Sequence, residues 1–505
     1  MSRINTNIQS LIAQRVLGTN NFGLGQSLER LSTGLRINRG KDDPAGLIAS
    51  ENLRSEKASL GAAISNAERA DQVANIAEGG LQEISSLLID LQGLVTAAAN
   101  DDGISTQEKQ ANQLQIDSIL QTIDRISGAT SFQGKKLLNG NLDYTATDVD
   151  GGVADFRVNG AKLAYGSELE VQAVITTSAQ QAGLFLSLGG PLNLNGGTNS
   201  AFTIEITGSL GSRELSFASG TSIDNMVAAI NTFSAVTGVT ATASGTTGIR
   251  LESQQYGSNA FVSTRIVNEA DIQGTGLGVF QLTGNNFNTA NSGSRVQFDS
   301  TAASNGVRDV GQDIVATING IAATADGRTA RINTDFLDVQ VTFDATTAQQ
   351  RGDLSVFKIS GGGADFQLAP NVDIAGKVAL GIADVSTRKL GNSDLGYLSD
   401  LASGKSFNVV SGDLSNAQKV VSEAIDSISA IRGRLGAFQK NTVGATIRNL
   451  SISLENTTAA ESVIRDTNFA AETAALTRNQ ILVSASTNIL ALANSQPQSA
   501  LQLLG

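Results

Sequence analysis

The 505-residue chain has no cysteine, histidine or tryptophan, and only four prolines and four tyrosines. Without histidine, no side chain titrates near neutrality in its unperturbed state and no imidazole can hold a metal. Without cysteine there is no thiol nucleophile, disulfide or thiolate-bound metal. Chemistry would have to rest on carboxylates, Ser/Thr, Lys or Tyr, and no spacing of these recommends a site. Catalytic, cofactor-binding and metal-ligating residues are therefore assigned as none. Long apolar runs are missing too: nothing approaches the ~20 residues of a membrane span. The stretch Met1 to Ser10 lacks the apolar core and small-residue cleavage site of a Sec signal. A chain free of thiols and poor in aromatics fits the cell exterior, and reaching it would require export without a cleaved signal.

The length allows several domains. Lys+Arg of 35 against Asp+Glu of 47 gives a net charge of −12, which argues against nucleic acid and anionic membranes as partners. Residues 151 to 400 hold 14 of the basic and 22 of the acidic residues, so the acidity is concentrated in the middle, the part expected to be exposed.

The ends of the chain carry helical periodicity. Leu60, Ile64, Ala67, Ala74, Ala77, Leu81, Ile84, Leu88, Leu91 and Val95 form one stripe on a long helix, with Gly79-Gly80 as its weak point. Ile116, Ile119, Ile123 and Ile126 form a second stripe after a turn-rich stretch, making a helical hairpin. Toward the other end, Val421, Ala424, Ile428, Ile431, Leu435 and Phe438 continue, phase-shifted, as Val443, Ile447, Leu450 and Leu454. These stripes satisfy one another as a bundle only if the two chain ends lie together. Between about 145 and 405 the texture changes. Phe202 to Thr207, Gly248 to Glu252 and Leu337 to Phe343 alternate with period two between turn residues, which predicts antiparallel strands. Residues 213 to 270, with the helix-like Ser222 to Asn231, are expected to be a separate small fold of helix on sheet.

The extreme ends have more apolar surface than one partner can cover. Ile4, Ile8, Leu11 and Ile12 crowd one arc. Phe469, Leu476, Ile481, Leu482, Val483, Ile489, Leu490 and Leu492 spread around most of a helix. A buried core helix is one account. The other is a hairpin disordered in the monomer that folds against further copies, where a contact that does not close gives a helical fibre.

Several motifs then resemble one family. Ile4 to Asn7, Leu28-Glu-Arg-Leu-Ser-Thr-Gly-Leu-Arg-Ile-Asn38, Lys41-Asp-Asp-Pro-Ala-Gly46, Ser131-Phe-Gln-Gly-Lys-Lys-Leu-Leu-Asn-Gly140 and Asn488 to Pro497 are similar to bacterial flagellin over about the first 145 and last 100 residues. The resemblance implies an α+β fold: a discontinuous all-helical coiled-coil rod built from both termini, with a mainly antiparallel β insert of two or more small domains. The expected division is 1–43 with 460–505 as terminal core and 44–145 with 405–459 as helical rod. The insert would divide into 146–212 with 345–404 as a β-rich domain, 213–270 as a small α/β insert of the flagellin and hook type, and 271–344 as a further β-rich insert. It implies a secreted, non-enzymatic subunit of the motility filament, with no cofactor. The junction protein between hook and filament is the alternative within the family, and an enzyme or adhesin displayed on such arms a more distant one. Implied partners are further copies of the chain, a secretion chaperone on the C-terminal helix, filament cap and hook–filament junction proteins, and the flagellar type III export apparatus; nucleic acid and membrane are not among them.

By the same resemblance, Ile4, Ile8, Leu11, Leu476, Leu482, Val483, Ile489 and Leu490 form the polymerisation core. Arg30, Arg36, Asn38, Arg39, Lys41, Asp42 and Asp43 form a polar loop between subunits, with Gly40 and Pro44 setting turns. The stretch recognised by the vertebrate innate flagellin receptor matches Leu81 to Asn100. Receptor-active members usually carry Arg where this chain has Asp90 and Glu where it has Gln115, while Leu94 is retained; reversing a charge at an interface predicts weak activation. Asp148-Val-Asp-Gly-Gly152 lacks the spaced ligands of a calcium loop, and Gly274 to Gly278 lacks the strand-to-helix setting of a nucleotide site.

Overall fold

The computed structural model describes residues 6–100, 102–164, 166–194, 201–272, 274–283, 286–290 and 292–502. It divides into two compact units. One comprises Met1–Gln72, Phe366–Lys377 and Gly436–Gly505; the other comprises Val73–Asp365 and Val378–Leu435. The helical ends and antiparallel β middle agree with the expected fold class.

Helices α1 (Ile8–Thr33) and α2 (Pro44–Ala98) open the chain. Asn7 caps α1 by accepting from the Ser10 N–H, and the helix stops at Gly34, whose φ of 73° suits a residue without Cβ. Gly40 lies in the turn that precedes Pro44, as expected. Pro44 opens α2, where its missing N–H costs nothing, and the Asp43 carboxylate accepts from the Gly46 N–H. Helix α3 (Thr106–Ala129) begins with a capping box of Ser105 and Glu108. After it come β1 (Ser131–Phe132) and β2 (Lys135–Lys136), a hairpin whose two turn residues, Gln133 and Gly134, both have positive φ.

In the first unit, Leu60 and Ala63 of α2 meet Leu450, with Ile64 and Leu454 packed alongside. Leu450 belongs to a helix over Gly444–Arg465, preceded by a π-helical turn over Phe438–Val443. The wider turn explains the phase shift in the sequence: Phe438, Val443 and Leu450 are all buried despite the five-residue step between the first two. Ion pairs line the same contact, Glu51 with Arg465 at 3.0 Å and Lys57 with Glu461 at 3.2 Å.

In the second unit, Leu81, Ile84, Leu88, Leu91 and Val95 are fully buried, as are Ile116 and Ile123 of α3, and Val421, Ala424 and Ile428 of the helix Leu414–Ala437. Gly79-Gly80 does not interrupt α2. A Cβ on Gly80 would lie 2.8 Å from Leu138 Cδ1 and Thr130 Oγ1, so this glycine is a point of close approach and not a weak point.

The β region has strands β3 (Tyr144–Thr147), β4 (Val153–Ala161), β5 (Leu169–Thr177), β6 (Gln181–Ser187), β7 (Ala201–Gly208) and β8 (Ser212–Ala218), then helices α4 (Ile223–Thr232) and α5 (Ser234–Thr237). Next come β9 (Val239–Ser244), β10 (Gly248–Tyr256), β11 (Phe261–Asn268), β12 (Gly278–Thr283) and β13 (Asn286–Ala290), followed by helix α6 (Thr301–Asn305). Strands β14 (Val307–Val310), β15 (Val315–Ile318), β16 (Ile321–Ala322), β17 (Thr324–Asp326), β18 (Thr329–Asn333) and β19 (Leu337–Phe343), helix α7 (Ala345–Ala348) and β20 (Gly352–Gly362) complete it. The helices already met are α8 (Leu414–Ala437), α9 (Gly444–Arg465) and α10 (Phe469–Gln502).

Two antiparallel sheets, in orders β16-β15-β5-β20-β3 and β17-β18-β19-β4, share a core that includes Val171, Ile175, Val339, Val341 and Phe357. In β19 every second residue is buried, as the alternation predicts. Two others, β13-β12-β6-β10-β9 and β14-β11-β7-β8, share a second core with Ile223, Met226 and Ile230 of α4. This pairing redraws the expected segments. Residues 213–270 are not a separate fold, because β6 comes from the segment before them and β12 to β14 from the one after. The chain enters this outer module after Gln180 and leaves it before Gln312.

Candidate functional site

The feature that stands out is the pair α1 and α10. Asn468 accepts from the N–H groups of Ala470 and Ala471, fixing the start of α10, which runs antiparallel to α1. The described residues buried along the pair are small: Ser10, Ala13 and Ser27 on α1, Ser486 and Ala493 on α10. Asn20 Nδ2 donates to Ser486 Oγ at 2.7 Å, and Asn479 Nδ2 to Ser27 Oγ at 3.3 Å. The apolar side chains face away. Leu11 is 58% exposed, Phe22 63%, Ile481 64% and Leu492 64%, and Ile8, Ile12, Val16, Phe469 and Ile489 are also exposed. Fully burying each such side chain is worth about 1.5–3 kcal/mol, and that gain is unrealised in the single chain.

Of the expected polymerisation core, Ile8, Leu11, Leu482 and Ile489 are exposed, and Leu476, Val483 and Leu490 are half-buried. Ile4 lies outside the described residues. The structure draws the two end segments as paired helices. Caps and inter-helix hydrogen bonds hold them without the apolar surface being covered. The sequence pointed to the apolar residues and missed Asn20, Ser27, Asn479 and Ser486. A signal was present: each helix carries an Asn and a Ser seven residues apart.

The polar loop folds on its own chain. Arg30 belongs to α1 and not to the loop; its Nε donates to the Arg36 carbonyl at 3.1 Å, and its Nη1 lies 3.6 Å from Glu472. The Arg36 guanidinium donates to the Ile464 carbonyl, 2.6 Å from Nη2, near the C-terminus of α9 where carbonyls lack helical partners, and its Nη1 lies 3.6 Å from Asp43. Asp42 accepts from the N–H groups of Arg39 and Asn38, and the first of these bonds leads in holding its carboxyl below the usual range. Asn38 donates to the Leu35 carbonyl. Arg39 pairs with Glu29 at 2.9 Å, and Lys41 lies over the Phe22 ring at 5.5 Å; both cations remain exposed. Asp90 and Gln115 are exposed and Leu94 is half-buried. No helix among the described residues is long and apolar enough to cross a membrane.

The family model for the bacterial flagellin N-terminal helical region matches residues 4–143, that for the C-terminal helical region 418–504, and the flagellin hook IN motif 201–255, inside the outer module. The B-type flagellin of Pseudomonas aeruginosa is 30% identical over 99% of both chains. Flagellin A of Helicobacter pylori is 28% identical, again over 99% of each. Among solved structures, flagellar hook-associated protein-3 of Legionella pneumophila aligns with 81% of this chain and 97% of its own, at 10% identity and a TM-score of 0.29.

Proposed function

The chain belongs to the bacterial flagellin family and is a structural subunit of the extracellular flagellar filament, and from that premise we propose that α1 and α10 carry assembly by burying their outward apolar faces against other copies. The observation that carries this is the inverted character of the pair: a small, polar seam inside and large apolar side chains outside. Such surface is costly in water and gains most when a further copy covers it. The contact is heterologous and does not close, so it propagates. Arg39 and Lys41, exposed even though they also meet Glu29 and the Phe22 ring, are the members of the polar loop placed to meet a neighbour, the rest being less exposed.

Finer roles belong to the same proposal. Until assembly, α10 needs its apolar face shielded, which supports a secretion chaperone there. Passage through the flagellar type III export apparatus accords with a chain that has no disulfide to form. Cap and junction proteins meet the same arms at the filament ends. The division into 1–43 with 460–505 as terminal core and 44–145 with 405–459 as helical rod belongs to this reading as well. The exposed Asp90 and Gln115 support weak activation of the innate receptor; a reporter-cell assay giving full potency overturns that point.

Seeded polymerisation tests the main proposal. Leu11→Asp and Ile489→Asp, combined, should abolish elongation while leaving the melting of the β modules unchanged. Leu210→Asp, an exposed residue of the outer module, should elongate normally. Wild-type growth of the doubly charged variant would falsify the assignment.

A further inference from the structure

The α1–α10 seam is closed by a polar ladder. The pairs Asn20–Ser486 and Ser27–Asn479 are reciprocal, an Asn of one helix facing a Ser of the other. They lie seven residues, or about two turns, apart on both helices, so both bonds report one alignment. Ser10 Oγ to Asn494 Oδ1 and Asn7 Nδ2 to the Ala493 carbonyl, each at 2.7 Å, extend the ladder. Sliding α10 by one turn sets Asn20 against Leu490 or Val483. Sliding it by seven residues sets Ser27 against Glu472 in one direction, and Asn20 against Ala493 in the other. Among these shifts no alternative keeps both Asn–Ser pairs. A buried polar group without a partner is costly, which is how a single Asn in a helix seam specifies register at some expense in stability.

The outward faces of both helices are apolar, so a seam built from Leu and Ile would have two defects. It could slip, and the helices could roll to bury in each other the rows meant for a neighbour. We propose that Asn20, Ser27, Asn479 and Ser486 are positioning residues for assembly. They fix one axial alignment of α1 on α10, and thereby the relative heights of the apolar rows that the next subunit must match. The proposal rests on the filament reading above. It adds that regular assembly depends on the polar residues between α1 and α10 as well as on the outward apolar rows.

The experiment compares purified full-length chains added to filament seeds: wild type, Asn20→Leu with Asn479→Leu, and the swap Asn20→Ser with Ser486→Asn, which exchanges the partners of one pair. Helical order is read from the sharpness of layer lines in electron micrographs, and helix content from circular dichroism of the monomer. The leucine variant should keep its helix content and lose the sharp layer lines or the ability to elongate, while the swap keeps both. A leucine variant with wild-type layer lines and growth overturns the proposal, as does a swap that behaves like the leucine variant. Wild-type protein that fails to elongate seeds would overturn the filament reading itself, a separate outcome.

Discussion

Gly79 and Gly80 are neighbours in one helix with opposite surroundings. Nothing lies within 4 Å of a Cβ built on Gly79, whereas on Gly80 it meets Leu138 and Thr130 at 2.8 Å. Gly79→Ala should therefore stabilise the fold by up to ~1 kcal/mol through helix propensity. Gly80→Ala should lose ~1–3 kcal/mol to overpacking. Urea titration of the two variants measures the contrast. The sequence offered only two weak helix formers, because the side chain that distinguishes them is far along the chain. Asp143 gives a pH prediction. Burial, first, and the nearby Asp384 push its carboxyl above the ordinary value, against the Tyr144 N–H and the Arg434 and Lys389 charges that pull it down. A carboxyl raised on folding costs nothing below its unfolded pKa, where both states are protonated, and stability is lost as pH rises through the folded value. Asp143→Asn keeps an acceptor for the Tyr144 N–H at 2.8 Å without the charge. It should melt higher than wild type at pH 7, with the gap closing in acid; calorimetry across that range would show it, and a gap independent of pH would refute it.

At the scale of elements, the π-helical turn reconciles two stripes that do not share a phase. An extra residue in a helix rotates everything after it by about 100°, unless a wider turn absorbs it. Removing exposed Lys440 should let the turn relax to an ordinary α-helix, with the step from Phe438 to Val443 reduced to four residues and Leu450 still facing Leu60 and Ala63. Removing exposed Asn449 has no such slack and should turn Leu450 out of its contact, at about 2–5 kcal/mol. Hydrogen exchange along α9 distinguishes them: protection persists in the first deletion and collapses in the second. Helices were the most legible part of this chain because their apolar spacing is local. The three-four rhythm located α2, α3, α8 and α9, and even the slip at 438 to 443. The orientation of α1 and α10 was not legible, since apolar residues normally mark the inward face and here they mark the outward one. The apolar residues proposed to carry assembly were thus named while the polar seam between the two helices was overlooked.

For the molecule as a whole, the boundary that matters is one the sequence hid. Strand alternation identified β7, β10 and β19 as strands, but their partners lie in segments far apart, and pairing between distant segments leaves no local trace. The outer module consequently begins at β6 and ends at β14, where the helix-bearing stretch alone had been expected. Its two ends meet: Gln180 N–H donates to the Gln312 carbonyl at 2.8 Å, and Gln312 N–H to the Gln180 carbonyl at 2.9 Å. A residue pair exchanging both bonds is the geometry that closes a two-residue hairpin. Replacing residues 181–311 by Asn-Gly should therefore leave the inner β core folded. Asp313 would lose Ser258 and keep the Gly327 N–H, and the Tyr256 ring would leave the Arg328 guanidinium, 5.2 Å from its centroid. These losses should cost about 2–4 kcal/mol together. Residues 182–310, expressed alone, should unfold in one cooperative transition, because both sheets and α4 share one core. The shortened chain should still elongate seeds, since the outward faces of α1 and α10 are untouched. Should the inner core melt out with the excision, the two β modules are one cooperative unit and the bridge at Gln180 and Gln312 is not a joint.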